Sequence, residues 1–350
     1  MGIDLLNLTY NEICSLVCEA GLPSYRAKQI YSWSAMGVDV PDMTNLSKDL
    51  RAKLAGNGWY VSLPKIARKL VSQIDGTVKY LFELSDGQLI ESVVMKYNHG
   101  NTICVSSQCG CRMGCKFCAS TLRGLERSLK ASEILGQVIA AQKDTGERIS
   151  NIVMMGIGEP LDNYDNVVRF LHLVSAEGGL NIGLRHISLS TCGVVDGIKM
   201  LMNEELPITL SISLHNIDTE QRKKIMPITN KWSVEELLSA CREYFEKTGR
   251  RISFEYTLIA NENDSVQQAE KLAFGLKKHL GKNIPIHVNL IPLNDVSERD
   301  FKRSASAQIA QFQKTLISLG INATVRRRLG PDINASCGQL RYNGTAEKSE

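Results

Sequence analysis

The sequence lacks the features that mark secreted and membrane proteins. No basic segment followed by an apolar run stands near its start, and no apolar stretch approaches the length of a membrane span. It contains no internal repeat and no low-complexity segment. We therefore expect a cytoplasmic protein without a membrane partner, and thiols in that compartment stay reduced.

Net charge is also small, at +4 over 350 residues. Such a weak excess neither requires nor excludes a nucleic-acid partner, because what matters is whether positive charge gathers on one face. With 43% hydrophobic residues the chain can bury a large core, and its length allows one large domain and a small one. Local basic runs, which taken alone predict solvent-exposed surface, occur at residues 222–224 and 326–328, and around the cysteines at Arg112, Lys116, Arg123, Arg127 and Lys130.

Two changes in the apolar pattern divide the chain. Residues 1–60 show the periodicity of short amphipathic helices, and residues 61–98 alternate as strands do. From residue 99 to residue 345, short apolar strands alternate with helices. We therefore predict a small helical N-terminal domain that binds RNA if the partner is RNA, a short β extension, and a larger α/β core.

Repeated strand and helix units indicate parallel strands joined by right-handed crossovers. The core is then either barrel-like or an open doubly wound sheet, and in both folds the chemistry gathers at the carboxyl ends of the strands. One helix of the core is marked at both ends, because Ser233 and Glu236 form a capping-box pattern and Gly249 supplies a stop.

The stretch "CVSSQCGCRMGCKFC" holds five of the ten cysteines. Cys111, Cys115 and Cys118 form a C-x3-C-x2-C pattern on a loop punctuated by glycine, which lets three thiolates surround one compact object. Zinc is one interpretation, since Cys109 would supply a fourth thiolate. The other is an iron–sulfur cluster held by three cysteines, whose remaining iron would bind a small chelating molecule such as S-adenosylmethionine (SAM).

Seven segments in order, the cysteine stretch among them, match those of one enzyme family. They are "YRAKQIYSW", "SSQCGCRMGCKFCAST", "MGIGEPLDN", "LSTCGVV", "SLHNIDTEQRKKIMPI", "HVNLIPLN" and "GPDINASCGQLR". On these segments the chain resembles the radical SAM enzymes and, within them, the RlmN and Cfr family of RNA methylating enzymes. The resemblance implies that the α/β core is a partial (β/α)6 TIM-like barrel.

The resemblance also implies the cofactors. Cys111, Cys115 and Cys118 would ligate a 4Fe-4S cluster, and each turnover would use two molecules of SAM. Gly158 and Glu159 would take the amino group of SAM, because a carboxylate suits an ammonium group. The remaining parts of SAM would be contacted by Ser190, Ser213, Leu214, His215 and Asn294.

Three more residues receive catalytic roles from the resemblance. Carbon 2 of an adenine is electron-poor, so the family transfers its methyl group through protein sulfur. Cys337 would accept a methyl group from one SAM, and a 5′-deoxyadenosyl radical from the second would remove a hydrogen atom from that group. After the carbon radical adds to adenine, Cys104 would release the product by forming a disulfide with Cys337. Glu91 would act as the base that takes the proton from the target carbon.

The substrate also follows from the resemblance. RlmN enzymes methylate carbon 2 of adenosine 2503 in 23S rRNA, and some also methylate adenosine 37 of tRNAs, whereas Cfr methylates carbon 8 of the same ribosomal adenosine. Pro160 in "GEPL" favours the RlmN branch, because Cfr characteristically has Ala there. The partners would be 23S rRNA, tRNA and an electron donor such as flavodoxin or ferredoxin.

A function of a different class remains open from the residues alone. The chain could be an RNA-binding protein that holds zinc or a cluster without catalysis, in which case Cys337, Cys104 and Glu91 would have no reason to stand together. The sequence assigns no role to Cys192, nor to Cys109 outside the zinc interpretation.

Overall fold

The computed structural model describes residues 2–281, 283–294, 296–336 and 338–340. Cys337, the predicted methyl carrier, lies outside the described residues. Within those ranges, no helix combines the length and the apolar character needed to cross a membrane.

Short helices make up the N-terminal part. They are α1 (Tyr10–Glu19), α2 (Tyr25–Ala35) and α3 (Lys48–Gly56), beside a parallel pair of strands, β1 (Ile3–Asp4) and β2 (Trp59–Tyr60). The first helix begins at a capping box, in which the side chains of Thr9 and Glu12 each accept a hydrogen bond from the other's backbone N–H. Glu12 also forms an ion pair of 2.6 Å with Arg169, so this cap joins the N-terminal part to the core.

A ten-stranded sheet dominates the rest of the chain. The strands after β2 are β3 (Lys65–Val71), β4 (Val78–Glu83), β5 (Leu89–Met95), β6 (Asn101–Cys104), β7 (Gln108–Gly110), β8 (Leu125–Ser128), β9 (Ile149–Met154), β10 (Ile187–Thr191), β11 (Thr209–Ser213), β12 (Ile252–Leu258), β13 (His287–Pro292) and β14 (Asn322–Val325). The large sheet has the order β14-β13-β12-β11-β10-β9-β6-β5-β4-β3, while β7 and β8 form a separate antiparallel pair.

Helices follow the parallel strands of this sheet. Strands β6 and β9 to β14 run parallel, and a helical segment follows each one before β14. All seven residues of β12 are buried, as expected for a strand covered on both faces. The core is therefore a partial (β/α)6 barrel, as predicted, with β14 added after the sixth unit. Its helices are α4 (Ala131–Thr145), α5 (Tyr164–Ser175), α6 (Val195–Leu201), α7 (Thr219–Ile225), α8 (Val234–Thr248), α9 (Val266–Leu280) and α10 (Ser306–Ser318).

The antiparallel strands β3, β4 and β5 continue the barrel sheet. Val93 on β5 lies opposite Lys79 on β4 and, on its other side, opposite Cys104 at the end of β6. Paired residues project from the same face of a sheet, and so do residues two apart on one strand. Lys79, Glu91, Val93 and Cys104 therefore share one face of the sheet.

Local signals in the sequence appear where they were predicted. The Ser233 hydroxyl accepts from the N–H of Glu236 at 3.2 Å, and the Glu236 carboxylate accepts from the N–H of Ser233 at 2.7 Å. Gly249 ends that helix with a left-handed φ of 63°. These side chains and turns satisfy backbone groups that a helix end leaves without a partner, which is why they mark its boundaries.

One hydrophobic core joins the three parts of the chain. It includes Leu5 and Ile13 from the N-terminal part, Tyr80 from the antiparallel strands, and Ile103 and Leu290 from the barrel. Because these side chains are buried together, the N-terminal part and the antiparallel strands pack against the barrel.

Candidate active site

The loop after β7 carries the three clustered cysteines, and glycine shapes its start. Gly110 has a φ of +78°, and a Cβ atom there would lie 1.9 Å from the carbonyl oxygen of Gly124. Only glycine fits both the left-handed backbone and this close approach. The N–H of Cys111 donates to the same carbonyl at 2.8 Å. The β7–β8 pair therefore fixes the position of the first cysteine.

Thr121 closes the far end of the loop. Its hydroxyl lies 3.0 Å from the carbonyl oxygens of both Cys115 and Cys118, and the Arg299 guanidinium donates to it at 3.0 Å. Both backbone carbonyl oxygens therefore have a hydrogen-bond partner. The second and third cysteines are held by one side chain.

Cys111, Cys115 and Cys118 line a single cavity. Burial raises the pKa of the Cys111 thiol, and it raises the pKa of the Cys115 thiol to about 12. Buried thiolates are costly unless a cation compensates their charge, so this donor set fits an iron–sulfur cluster, whose iron atoms supply that charge. Among the described residues, no three or more His, Cys, Asp or Glu side chains are arranged around a single-ion site.

Cys109 stands apart from the other three cysteines. Its side chain is fully buried in the main hydrophobic core and does not line the cavity. Burial raises the pKa of this thiol to about 12. The four-thiolate zinc interpretation therefore lacks its fourth ligand in this arrangement.

The segment after β9 packs against the start of the cysteine loop. Gly158 has a φ of +105°, and a Cβ atom there would lie 2.6 Å from Cβ of Gln108. Glu159 is buried, and its carboxylate accepts from the N–H groups of Leu161 at 3.0 Å and Cys192 at 2.7 Å. Burial raises the pKa of Glu159 despite these bonds. Glu159 thus ties two loops together, and both Gly158 and Glu159 line the cavity.

The other predicted SAM contacts stand at the carboxyl ends of parallel strands. Ser190 lies near the end of β10, Ser213 ends β11, and Asn294 follows β13; all three line the cavity. Leu214 differs from them. Its side chain is fully buried in the core, its N–H donates to the Glu255 carbonyl, and its own carbonyl accepts from a guanidinium, so no part of it is directed at the cavity.

His215 contributes a neutral, fixed ring to the cavity wall. Its Nδ1 accepts from the N–H of Thr257 at 2.9 Å, and the ring meets Phe117 edge to face, with centroids 4.9 Å apart. Burial and, as the smaller cause, the nearby positive charge of Arg222 together lower the pKa of His215 to about 3. The imidazole is therefore uncharged at neutral pH, and its Nε2 carries the proton.

Arg222 is a site residue that the sequence interpretation placed in a basic surface run, and this placement is wrong. The side chain is buried, with 1% of its surface exposed. Its guanidinium donates to the carbonyl oxygens of Cys192 at 2.6 Å and of Ser213 and Leu214 at 2.8 Å, and to the Thr229 hydroxyl at 2.7 Å. Four acceptors make burial of this charge tolerable, and they fasten the ends of β10 and β11 together.

Two other cavity residues were not identified from the sequence. Cys192, left without a role, lines the cavity and is buried. Glu255 lies in the middle of β12 and accepts from the Asn289 side chain at 2.8 Å, with Arg326 at 3.8 Å. Burial raises the pKa of Glu255. An acidic residue inside the apolar strand "ISFEYTL" was the signal that would have found it.

A second cavity adjoins the first. Cys104, Val93 and Met95 line it from the sheet, and Arg327 and Arg328 line its outer part. Met155, Ile291, Asn294 and Arg326 line both cavities, so they form the wall that the two share. Cys104 therefore lines a cavity that shares a wall with the cavity of the three clustered cysteines.

Glu91 lies on β5 on the same face as Cys104. Its carboxylate pairs with the Lys79 ammonium at 2.9 Å, and both side chains are about nine-tenths buried. Its backbone carbonyl accepts from the Ser106 hydroxyl at 2.6 Å. The structure thus brings Glu91 and Cys104 to one surface, although they are thirteen positions apart in the sequence.

The residues on both sides of Cys337 are held at the two cavities. Ser336 lines the second cavity and Gly338 lines the first. The carbonyl oxygen of Gly338 accepts from the N–H of Ala119, directly after the third clustered cysteine, at 2.9 Å. The Ser120 hydroxyl donates to the carbonyl of Leu340 at 2.9 Å. The C-terminal loop is thereby bonded to the cysteine loop.

Two family models match this chain. The model of the radical SAM superfamily matches residues 105–273, which include the three clustered cysteines and the segment after β9. The model described as the N-terminal domain of the ribosomal RNA large subunit methyltransferase matches residues 3–58.

Full-length relatives agree with these matches. A probable dual-specificity RNA methyltransferase RlmN of Clostridium novyi is 52% identical over 97% of this chain and 98% of its own length. That of Clostridium tetani is 54% identical over 97% of this chain and 96% of its own length. The crystal structure of a radical SAM methyltransferase from Sphaerobacter thermophilus has a TM-score of 0.91 and 41% identity, covering 97% of this chain and 99% of that one.

Proposed function

Because this chain belongs to the radical SAM superfamily and, within it, to the RlmN family of RNA methyltransferases, we propose that it methylates carbon 2 of an adenosine in RNA. The target proposed is adenosine 2503 of 23S rRNA, with adenosine 37 of tRNAs as the second. The relatives' description as dual-specificity enzymes supports two RNA substrates. The N-terminal family model, named for the large ribosomal subunit, supports the first of them.

The observation that carries the proposal is the common wall of the two cavities. A methyl group that moves from SAM to RNA through protein sulfur needs a cofactor cavity and a substrate cavity in contact. Here the cavity of Cys111, Cys115 and Cys118 shares four lining residues with the cavity of Cys104. A protein that only held a metal would have no use for such a second cavity.

The first cavity fits both cofactors. Three buried thiols suit a 4Fe-4S cluster, and the hydroxyl and amide groups of Ser190, Ser213 and Asn294 suit the ribose and adenine of SAM. When bound, the cluster would supply the electron that cleaves SAM reductively, with two SAM molecules used per turnover. A neutral His215 adds no positive charge beside a cationic sulfonium ligand.

Three protein residues divide the transfer between them in this proposal. Cys337 carries the methyl group, with Ser336 and Gly338 beside it at the two cavities. Glu91 accepts the proton that leaves the target carbon. Cys104 forms a disulfide with Cys337, and this bond replaces the bond between Cys337 and the product. An electron donor such as flavodoxin or ferredoxin would serve the cluster.

Analysis of the product nucleosides tests the proposed function. RNA from a strain that lacks this gene is incubated anaerobically with the protein, SAM and a reductant, and is then digested and separated against standards. We expect 2-methyladenosine in 23S rRNA and in tRNA. Mainly 8-methyladenosine would identify a Cfr-like enzyme instead. No methylated adenosine from protein with a complete cluster would favour the non-catalytic RNA-binding function.

A further inference from the structure

Lys79 is a buried cation beside the proposed base. It is the second residue of β4, and 8% of its surface is exposed. Its ammonium is 2.9 Å from a carboxylate oxygen of Glu91 and donates to the carbonyl oxygen of Asn334 at 3.2 Å. One lysine therefore contacts both the residue proposed to take the proton and the loop that continues to Cys337.

The sheet register places Lys79 at this position. Lys79 lies opposite Val93, and Val93 lies opposite Cys104, so the three stand in one row across β4, β5 and β6. Glu91, two residues before Val93, is the diagonal neighbour of Lys79 on the same face, within reach of a long side chain. The ammonium is therefore held beside Glu91 by backbone pairing.

Two carboxylates, one from the turn between β3 and β4 and one from the loop that continues to Cys337, hold the loop against that turn. Asp332 accepts from the Ser72 hydroxyl at 2.7 Å and from the N–H of Gln73 at 3.0 Å. In the opposite direction, Asp75 of the turn accepts from the N–H of Gly330 at 2.9 Å. Because the loop and the turn each contribute an acceptor, the loop is fixed relative to β4. The hydrogen bond from Lys79 to Asn334 adds a third connection, two residues after Asp332.

Burying a lysine ammonium costs free energy, and an apolar side chain at this position of the sheet would avoid that cost. The sheet nevertheless directs its ammonium at the carboxylate that the proposed function uses as a base.

We propose, on the basis of that function, that Lys79 is a positioning residue for proton removal. It holds Glu91 ionised and aimed at the target carbon while binding the backbone of the methyl-carrying loop. When the C–H bond of the target carbon breaks, the proton goes to the Glu91 carboxylate.

Two readouts separate this role from a merely structural one. The first is methylation of Cys337, measured by mass spectrometry, which involves no proton removal from the target carbon. The second is the isotope effect on kcat with RNA that carries deuterium at carbon 2. For Lys79→Met we expect Cys337 methylation close to that of wild type, a kcat lower by about 10- to 100-fold, and a larger isotope effect. Lys79→Arg keeps the charge and is expected to recover most of the turnover.

Two further variants make the result decisive. Lys69→Met removes an ion pair with Asp144 from the neighbouring strand β3 and should leave kcat and the isotope effect unchanged. Adding Lys79→Met to Glu91→Gln should reduce kcat no further, because Lys79 acts through Glu91. The assignment is overturned if Lys79→Met lowers methylation and turnover in parallel with an unchanged isotope effect, if its turnover is normal, or if the double variant is much slower than Glu91→Gln. Wild-type protein that never methylates Cys337 would instead refute the proposed function itself.

Discussion

At the scale of single residues, the cysteines of this chain differ by what surrounds them. Cys111, Cys115 and Cys118 line the first cavity, Cys104 lines the second, and Cys109 is enclosed by the hydrophobic core. The same thiol can serve as a cluster ligand, as a redox partner or as a small apolar side chain, and its surroundings select among these. Each environment leads to a different outcome of substitution.

Replacement of a clustered cysteine should abolish the cluster. We expect Cys111→Ala, Cys115→Ala and Cys118→Ala each to lose most of the bound iron and all methylation, because three thiolates are needed to hold it. Cys109→Ala is the matched control, since it removes a thiol two positions from Cys111 that does not line the cavity. Iron analysis of anaerobically purified protein decides the matter. Full iron in Cys118→Ala, or its loss in Cys109→Ala, would contradict the ligand set.

Variants of Cys337 and Cys104, the cysteines proposed to carry the methyl group and to release the product, should fail at different steps. Cys337→Ala cannot accept the first methyl group, so neither methylated cysteine nor methylated RNA should form. Cys104→Ala should still be methylated at Cys337 and add its carbon to adenine, but it lacks the partner for release. It should therefore accumulate a covalent RNA adduct that survives denaturing gels and that nuclease trims to a nucleotide-sized mass. Normal methylation by Cys104→Ala without any adduct would show that Cys104 has another role.

At the scale of secondary-structure elements, the β7–β8 pair positions the first cluster cysteine. The pair consists of short strands, Gln108–Gly110 and Leu125–Ser128, and the cysteine loop lies between them. Arg127 on β8 strengthens it by pairing with Asp86 at 2.7 Å and Glu133 at 2.8 Å, which link β8 to the antiparallel strands and to α4. The loop proposed to hold the cluster is thus supported from two neighbouring elements.

A methyl group at Gly110 should displace this loop. In Gly110→Ala the new Cβ would meet the Gly124 carbonyl at 1.9 Å, besides the strain of a left-handed φ. Gly124→Ala carries the same backbone strain, with a φ of +73°, but its Cβ has open space around it. We expect Gly110→Ala to lose most of its iron, whereas Gly124→Ala keeps it. Equal iron content in the two variants would mean that the close approach does not position Cys111.

At the scale of the whole molecule, the basic runs of the sequence do not all form exposed positive surface. Arg222 is buried, Arg112 is paired with Asp162, and Arg127 is paired twice. The charges of these residues are therefore compensated by acceptors within the protein. Arg327 and Arg328, in contrast, are exposed at the rim of the second cavity. The mouth of that cavity is therefore where phosphate contacts from bound RNA are expected.

Loss of the charges at this rim should weaken RNA binding in a salt-dependent manner. Each phosphate contact releases counterions when it forms. The double variant Arg327→Gln, Arg328→Gln should therefore show a less steep fall of log affinity with log salt, smaller by about two in slope. Lys271→Gln with Lys278→Gln removes the same charge from the exposed side of α9 and should leave the slope unchanged. Filter binding from low to moderate salt measures both. Identical slopes in the two double variants would place the RNA elsewhere.

Short-range patterns in the sequence determined much of this protein. The cap at Ser233 and Glu236, the stop at Gly249 and the alternation of strands and helices depend only on nearby residues, and the structure confirms them. The C-x3-C-x2-C loop and the segment after β9 were recognisable because their chemistry requires fixed spacing. The repeated strand and helix units left a barrel and an open doubly wound sheet as alternatives, and the partial barrel that the family resemblance implied is confirmed.

Tertiary structure decided what depends on strand register and on burial. No spacing in the sequence shows that Lys79 stands beside Glu91 and in one row with Cys104, because that row exists only once β4, β5 and β6 pair. Arg222 belongs to a basic run in the sequence, and only the folded ends of β10 and β11 supply the carbonyl groups that bury it. Long-range pairing brings together residues that local pattern cannot connect, and burial then reverses the roles that composition suggests for charged side chains.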